Sequence, residues 1–199
     1  MASNEYHFVT EWRVPGSVAE VMQVIRDERG LPRWWPSVYL DVKQLNPGDE
    51  RGLGKVVDLY TKGWLPYSLR WQFRVTEVHP LDFTLVASGD FVGRSIWSFR
   101  QAGPDVIVIY DWKISAEKPL LRYFSPIMKP IFGANHRWAM ARGEESLLLE
   151  LARRRAPDEH ARALIPAPLP ATRLPVPLLV IGLFSAAAVL WMVSRRRAH

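Results

Sequence analysis

Residues 131–155 carry an apolar stripe that limits most of what this chain can fold into. Phe132, His136, Met140, Gly143, Leu147 and Leu151 recur at intervals of three and four residues, which places them on one face of an α-helix. Glu145 and Arg153 fall away from that face. Such a helix is not stable alone, because its stripe must be covered. The cover lies in the preceding sequence. Strands are predicted at 5–14, 38–45, 53–62, 68–78, 83–90, 94–101 and 106–115, parted by the turn signals "NPGDERG", "KGWLPY", "HPLD" and "QAGPD". Their alternation is plain. Tyr6, Phe8, Trp12 and Val14 oppose His7, Glu11 and Arg13, and Leu69, Trp71, Phe73 and Val75 oppose Arg70, Gln72, Arg74 and Thr76. Val106, Val108, Tyr110, Trp112 and Ile114 share another face. A short helix at about 17–28 starts at Ser17, with Glu20 at the capping-box position. The expected fold class is α+β: a curved antiparallel sheet wrapped around a long C-terminal helix.

The stretch "LPRWWPSVYL" sets Trp34 and Trp35 side by side between Pro32 and Pro36. Proline fixes its own φ and restricts its neighbour, so this segment is bent. Two large apolar rings on a bend either plug a core or line an opening. The chain holds nine Trp in all. Trp12, Trp71, Phe73, Trp97, Tyr110 and Trp112 alternate along strands as an inward face should, which suits a core or an aromatic-lined cavity. Their bulk, set beside Gly89, Gly93 and Gly143, tilts the reading towards a cavity. One of the paired Trp is expected to seal the core and the other to face the cavity.

The net charge of +6 divides evenly. Residues 1–155 have 21 Lys/Arg against 18 Asp/Glu, and residues 156–199 have 5 against 2. A nearly balanced domain argues against a nucleic-acid surface. With no Cys, disulfides, thiolate metal sites and cysteine nucleophiles are excluded. "RGLGK" at 51–55 lacks phosphate-loop spacing, and the five His are scattered without a ligand pair. No metal and no cofactor is expected.

Composition divides the chain into a domain at 1–155, an Ala/Pro-rich linker at 156–173, a transmembrane helix at 174–194 and a basic tail at 195–199. Residues 174–193 carry no charge. At about 1.5 Å per residue that run spans about 30 Å, the thickness of a bilayer core. Trp191 lies near one end, and Arg195, Arg196 and Arg197 stop the run. The N-terminus shows no export signal. The expected localisation is therefore a single-pass C-terminal tail anchor with the domain on the cytoplasmic side. The linker is expected to act as a semi-rigid spacer.

Four stretches carry a family resemblance: "LPRWWPSV", "LPYSLRWQFRVTEVHP", "ASGDFVGRSIWSF", and "YDWKIS" followed at a distance by "NHRWAMARGEESLLLEL". Over about residues 4–153 the chain resembles the START-like helix-grip (SRPBCC) superfamily, within it the polyketide cyclase/dehydrase-like group. The resemblance implies a helix-grip fold with a cavity between sheet and long helix. It also implies a cradle of short helices near the cavity mouth, where Trp34 and Trp35 would sit. Superfamily members place lipids, sterols, quinones, polyketides or plant hormones there, and only some are enzymes.

The candidate cavity set is Trp34, Trp35, Tyr60, Trp71, Phe73, Trp97, Tyr110, Trp112, Phe132, Asn135, His136 and Met140. His136 is the candidate acid/base, since imidazole titrates near neutrality. It can equally be a buried His bonded to a backbone carbonyl or to Asp111. Asp58 and Tyr60 share a face and are either polar handles in the cavity or sheet-face partners. Arg94 meets an anionic head group or sits in a surface turn. Three functions follow. The first is a membrane-tethered module that binds a hydrophobic small molecule (lipid, quinone or polyketide-like). The second is a polyketide cyclase/dehydratase-type enzyme. The third is a membrane adaptor whose cavity is filled by its own side chains.

Overall fold

The computed structural model describes residues 4–117 and 119–172. The transmembrane helix expected at 174–194 and the basic tail lie outside the described residues. Among the described residues no helix is long and apolar enough to cross a membrane.

Seven antiparallel strands form one sheet: β1 (Glu5–Pro15), β2 (Tyr39–Asn46), β3 (Val56–Lys62), β4 (Ser68–Val78), β5 (Asp82–Gly89), β6 (Phe91–Ala102) and β7 (Asp105–Ala116). Their order is β1-β7-β6-β5-β4-β3-β2, so the last six strands are a run of hairpins and β1 closes on β7. Helices α1 (Val18–Ile25) and α2 (Leu31–Trp34) bridge β1 and β2, with one 3₁₀ turn at Glu28–Gly30 between them. The long α3 (Pro119–Arg155) and the short α4 (Glu159–Ala163) complete the order. This is the helix-grip α+β arrangement expected from the stripe and the alternation.

Local chemistry accounts for the element ends. Ser17 caps α1 by accepting from the Glu20 N–H at 3.3 Å, and Glu20 Oε2 accepts from the Ser17 N–H at 2.9 Å. The predicted helix at 17–28 stops early, at Ile25, because Asp27 caps a new 3₁₀ turn through the Gly30 N–H. The long helix begins at Pro119, not at residue 131. Pro119 takes the first turn, where a missing N–H is harmless. Pro126 and Pro130 lie four apart, so the bond lost at 130 is the one the carbonyl of 126 would have accepted. The helix continues through both.

The stripe of α3 meets the concave side of the sheet. Leu147 and Leu151 are buried with Val14, Val21, Val24, Val106 and Val108 at one end of the core. One buried acid fastens the cradle to the helix. Glu150 is 1% exposed and receives both Arg33 nitrogens, at 2.6 and 2.7 Å, and Arg154 Nε at 2.8 Å. Burial alone would raise the Glu150 carboxyl, but the hydrogen bonds and charges of the two guanidinium groups outweigh it and hold it below the ordinary value. Arg33 thus pins α2, and Trp34 beside it, to α3.

Glu150→Ala removes a buried carboxylate that two cations face. Because the Arg33 side chain is 59% exposed, that cation can rehydrate. The expected loss is about 2–3 kcal/mol, below the 3–5 typical of a fully enclosed pair. Urea unfolding followed by tryptophan fluorescence measures it. A loss within error of zero contradicts the pinning role.

Candidate functional site

A cavity of about 180 Å³ lies between the sheet and the middle of α3. Eleven of the twelve sequence-predicted residues line it: Trp34, Trp35, Trp71, Phe73, Trp97, Tyr110, Trp112, Phe132, Asn135, His136 and Met140. Tyr60 does not. In β3 the buried positions are Val57, Leu59 and Thr61, so alternation turns Tyr60 to the outer face. There its hydroxyl accepts from Ser68 at 2.9 Å, and the Arg70 guanidinium lies 4.6 Å over its ring. Asp58 shares that face and accepts from Gln72 at 3.0 Å. Arg94 is likewise outside, bonded to Glu77 at 3.0 Å, and Asp111 pairs with His7 at 3.0 Å.

Trp34 and Trp35 both line the cavity and both are buried, at 1% and 3% exposure. The expected division into one sealing and one facing ring does not hold. Trp35 sits in a notch in α3, since a Cβ at Gly143 would lie 2.3 Å from its ring. It meets Trp34 at 5.4 Å, Tyr39 at 5.2 Å and Trp12 at 5.7 Å, the last two edge-on. Trp12 stands behind the wall and also touches Trp97 at 5.5 Å. The indole N–H groups of Trp12, Trp34 and Trp35 have no hydrogen-bond partner among the described residues. An orphaned donor costs about 1–3 kcal/mol, and the packing of indole edges against ring faces offsets part of it. Gly143 therefore does not leave open space; Trp35 fills it. Gly93 brings strands together instead, since a Cβ there would lie 2.2 Å from the Lys113 carbonyl oxygen.

His136 stacks on Phe8 at 4.2 Å and lies 5.4 Å from Trp112. Its Nε2 lies 3.4 Å from the Thr10 hydroxyl, and among the described residues neither a backbone carbonyl nor Asp111 is its partner. Burial first, and the Arg137 charge second, lower it from the ordinary 6.5 to about 4. The ring is neutral at physiological pH. Asn135 is a clamp. Its side-chain oxygen accepts from the Trp64 N–H at 2.9 Å and the Leu65 N–H at 3.4 Å. It reaches them because Gly63 has no side chain; a Cβ there would lie 2.2 Å from that oxygen.

Several wall residues are absent from the predicted set. Tyr6, Phe8, Tyr39, Thr61, Tyr67 and Phe91 all face the cavity. Alternation of β1 already put Tyr6 and Phe8 on the inward face, so that signal was present. Tyr39 and Tyr110 bring two hydroxyls onto the wall. Burial pushes both phenols well above their ordinary value, with each other's proximity adding to the rise at Tyr110 and Ser95 opposing it. Thr61 accepts from the Trp71 indole at 3.0 Å, and its own O–H has no acceptor among the described residues. One end of the cavity is bordered by the Lys55–Glu28 ion pair, at 2.8 Å. The other has a half-buried rim of Tyr6, Lys62, Gly63, Tyr67 and Phe132. Tyr6 and Tyr67 flank Phe132 there, at 6.2 and 6.4 Å.

No family model matches the chain, and no curated protein matches it by sequence. Solved structures share its fold. A Thermus thermophilus protein aligns with a TM-score of 0.58 at 17% identity, covering 73% of this chain and 94% of that one. The Zhui aromatase/cyclase of Streptomyces sp. R1128 aligns at 0.56 and 17% identity, over 75% and 95%. A point mutant of Thalictrum flavum norcoclaurine synthase, solved with a transition-state analogue, aligns at 0.51 and 16% identity, over 73% and 95%. Identities this low establish the fold and leave the chemistry to the site.

Two outcomes test this geometry. Gly143→Ala gains about 1 kcal/mol of helix propensity but drives a methyl into the Trp35 ring, which costs about 1–3 kcal/mol or more. Net destabilisation is expected in thermal unfolding, and a stabilised variant contradicts the notch. His136 contributes almost no pH dependence above about pH 7.5, where both folded and unfolded rings are neutral. Below that the unfolded chain takes up a proton that the folded site refuses, so stability falls between pH 6.5 and about 4. The loss approaches about 3 kcal/mol, at 1.36 per unit. His136→Phe removes this component in urea unfolding at pH 7.5 and 4.5. An unchanged pH dependence contradicts it.

Proposed function

We propose that the protein is a membrane-tethered binder of one small hydrophobic molecule, a planar guest of one or two rings with a polar substituent. The size and lining of the cavity carry this reading. Apolar space of about 150 Å³ holds benzene, whereas sites for drug-sized ligands run to about 300–1,000 Å³. At about 180 Å³ the cavity suits one or two rings and is too small for a two-tailed lipid or an extended polyketide chain. Its walls offer flat faces at Trp71, Trp97, Tyr110 and Trp112, and neutral donors at Thr61 and Tyr39 for a carbonyl or hydroxyl. Structures of this fold include an aromatase/cyclase, which supports a ring-bearing guest. The tether rests on the uncharged run at 174–193.

Cyclase or dehydratase chemistry needs an acid/base group poised near the working pH. His136, at about 4, is a poor base, and the buried phenols are held too high to exchange protons readily. The site favours holding over converting. The unfilled volume argues against an adaptor with a packed interior.

Titrating the full chain with 2-naphthol, and separately with palmitate, while following tryptophan quenching tests the proposal. Saturable quenching by 2-naphthol alone is expected. It should weaken at least tenfold in Ala139→Phe, which fills the cavity from α3. Quenching that palmitate matches, or that Ala139→Phe leaves unchanged, overturns the reading.

A further inference from the structure

We propose that the cavity rim is a docking surface for an anionic phospholipid bilayer, held there by residues 164–172 acting as a strap; this rests on the tether proposed above. The strap is visible in its burial. Ile165, Pro168 and Ala171 are half-buried, while Pro166, Ala167, Leu169 and Pro170 between them are exposed. A period of three is that of a polyproline II helix lying with one face on a surface. Pro166, Pro168 and Pro170 favour that conformation. The described part of the linker is thus laid against the domain and does not stand off as a spacer.

Both ends of the strap are tied. The Arg153 guanidinium, near the C-terminal end of α3, donates to the carbonyls of Ile165 and Pro166. Lys62 Nζ donates to the Thr172 carbonyl at 2.9 Å. Lys62 and its neighbour Gly63 belong to the rim, and Asn135 of α3 bonds the following loop. Arg153 and Asn135 are 18 residues apart along α3, about 27 Å at 1.5 Å each. The six steps from Pro166 to Thr172 reach about 19 Å at 3.1 Å each, and the two long side chains cover the remainder. The strap thus returns the chain from the far end of the helix to the rim.

This fixes where the uncharged run begins. Only Arg173 separates Thr172 from Leu174, so that run starts within about 7 Å of Thr172. A headgroup layer is about 5–8 Å deep on each side of the hydrocarbon core. A run entering hydrocarbon at Leu174 thus leaves the rim among the headgroups. The rim is suited to that layer. Ile131, beside Phe132, is exposed, and the Lys129 ammonium lies 5.6 Å over the Tyr6 ring. With Lys62, two cations border an opening ringed by aromatics, which favours anionic lipid. A guest dissolved in the bilayer then enters the cavity without crossing water.

The chain has no Cys, so single cysteines can carry an environment-sensitive dye. Pro66→Cys lies in the exposed loop at the rim, and Glu50→Cys in the exposed loop at the opposite end of the sheet. The full chain is reconstituted in phosphatidylcholine/phosphatidylglycerol vesicles carrying a headgroup nitroxide. Quenching of the dye at 66 at least threefold above that at 50 is expected. It should fall by half or more when Lys62→Met is combined with Pro166→Gly, Pro168→Gly and Pro170→Gly, while the protein still floats with the vesicles. Protein that does not float overturns the tether itself. Protein that floats with equal quenching at 50 and 66 overturns the docking alone. Quenching at 66 that survives the combined variant overturns the strap. Blue-shifted emission at 66 without lipid quenching means that a second copy or the chain's own tail covers the rim, and overturns the proposal.

Discussion

The fit of the Trp35 ring into the notch at Gly143 is the contact on which the rest of the structure depends. α3 must be covered along its stripe, and the sheet alone covers it only in part. The bent segment between Pro32 and Pro36 delivers an indole to Gly143, where no side chain intervenes. Arg33, a neighbour in sequence, reaches Glu150 about two helical turns further along. The cradle is thereby fixed at two points, one apolar and one ionic. Trp12, Tyr39 and Trp97 then stack outward from this wedge, each ring contact adding about 0.5–1.5 kcal/mol beyond simple burial.

Because the wedge props α3 at Gly143, the helix cannot close down on the sheet over its preceding turns. Space is left beneath Phe132, His136, Ala139 and Met140. Its chemistry follows from the same enclosure. Desolvation keeps His136 neutral and the phenols protonated, so these side chains present donors and aromatic faces without charge, while Arg26 and Lys62 border the cavity. The paired Lys55 and Glu28 line one end without adding net charge.

Periodicity made much of this legible. The stripe of α3 and the alternation of β4 and β7 gave the fold class, and with it the aromatic wall. Tyr60 shows the limit of that reading. Val57 and Leu59 already marked the inward phase of β3, and placing Tyr60 inside set a polar pair above the apolar rhythm around it. The orientation of Trp34 and Trp35 had no period to consult, since a bend between prolines has none; only the absence of a side chain at Gly143, far away in sequence, decides it. Asn135 was legible as a neighbour of His136 but not as a clamp, because its partners at Trp64 and Leu65 come from another part of the chain. The prolines of α3 misled at its start. Local preference opposed a helix there, and the helix forms through them.

The most direct test of the ring-sized cavity is native mass spectrometry of the full chain released from detergent micelles, with extraction of whatever accompanies it. One bound molecule per chain, bearing one or two rings and lost in Ala139→Phe, is the expected result. A bound phospholipid, or a chain that stays empty when offered a panel of one- and two-ring aromatics, would contradict it.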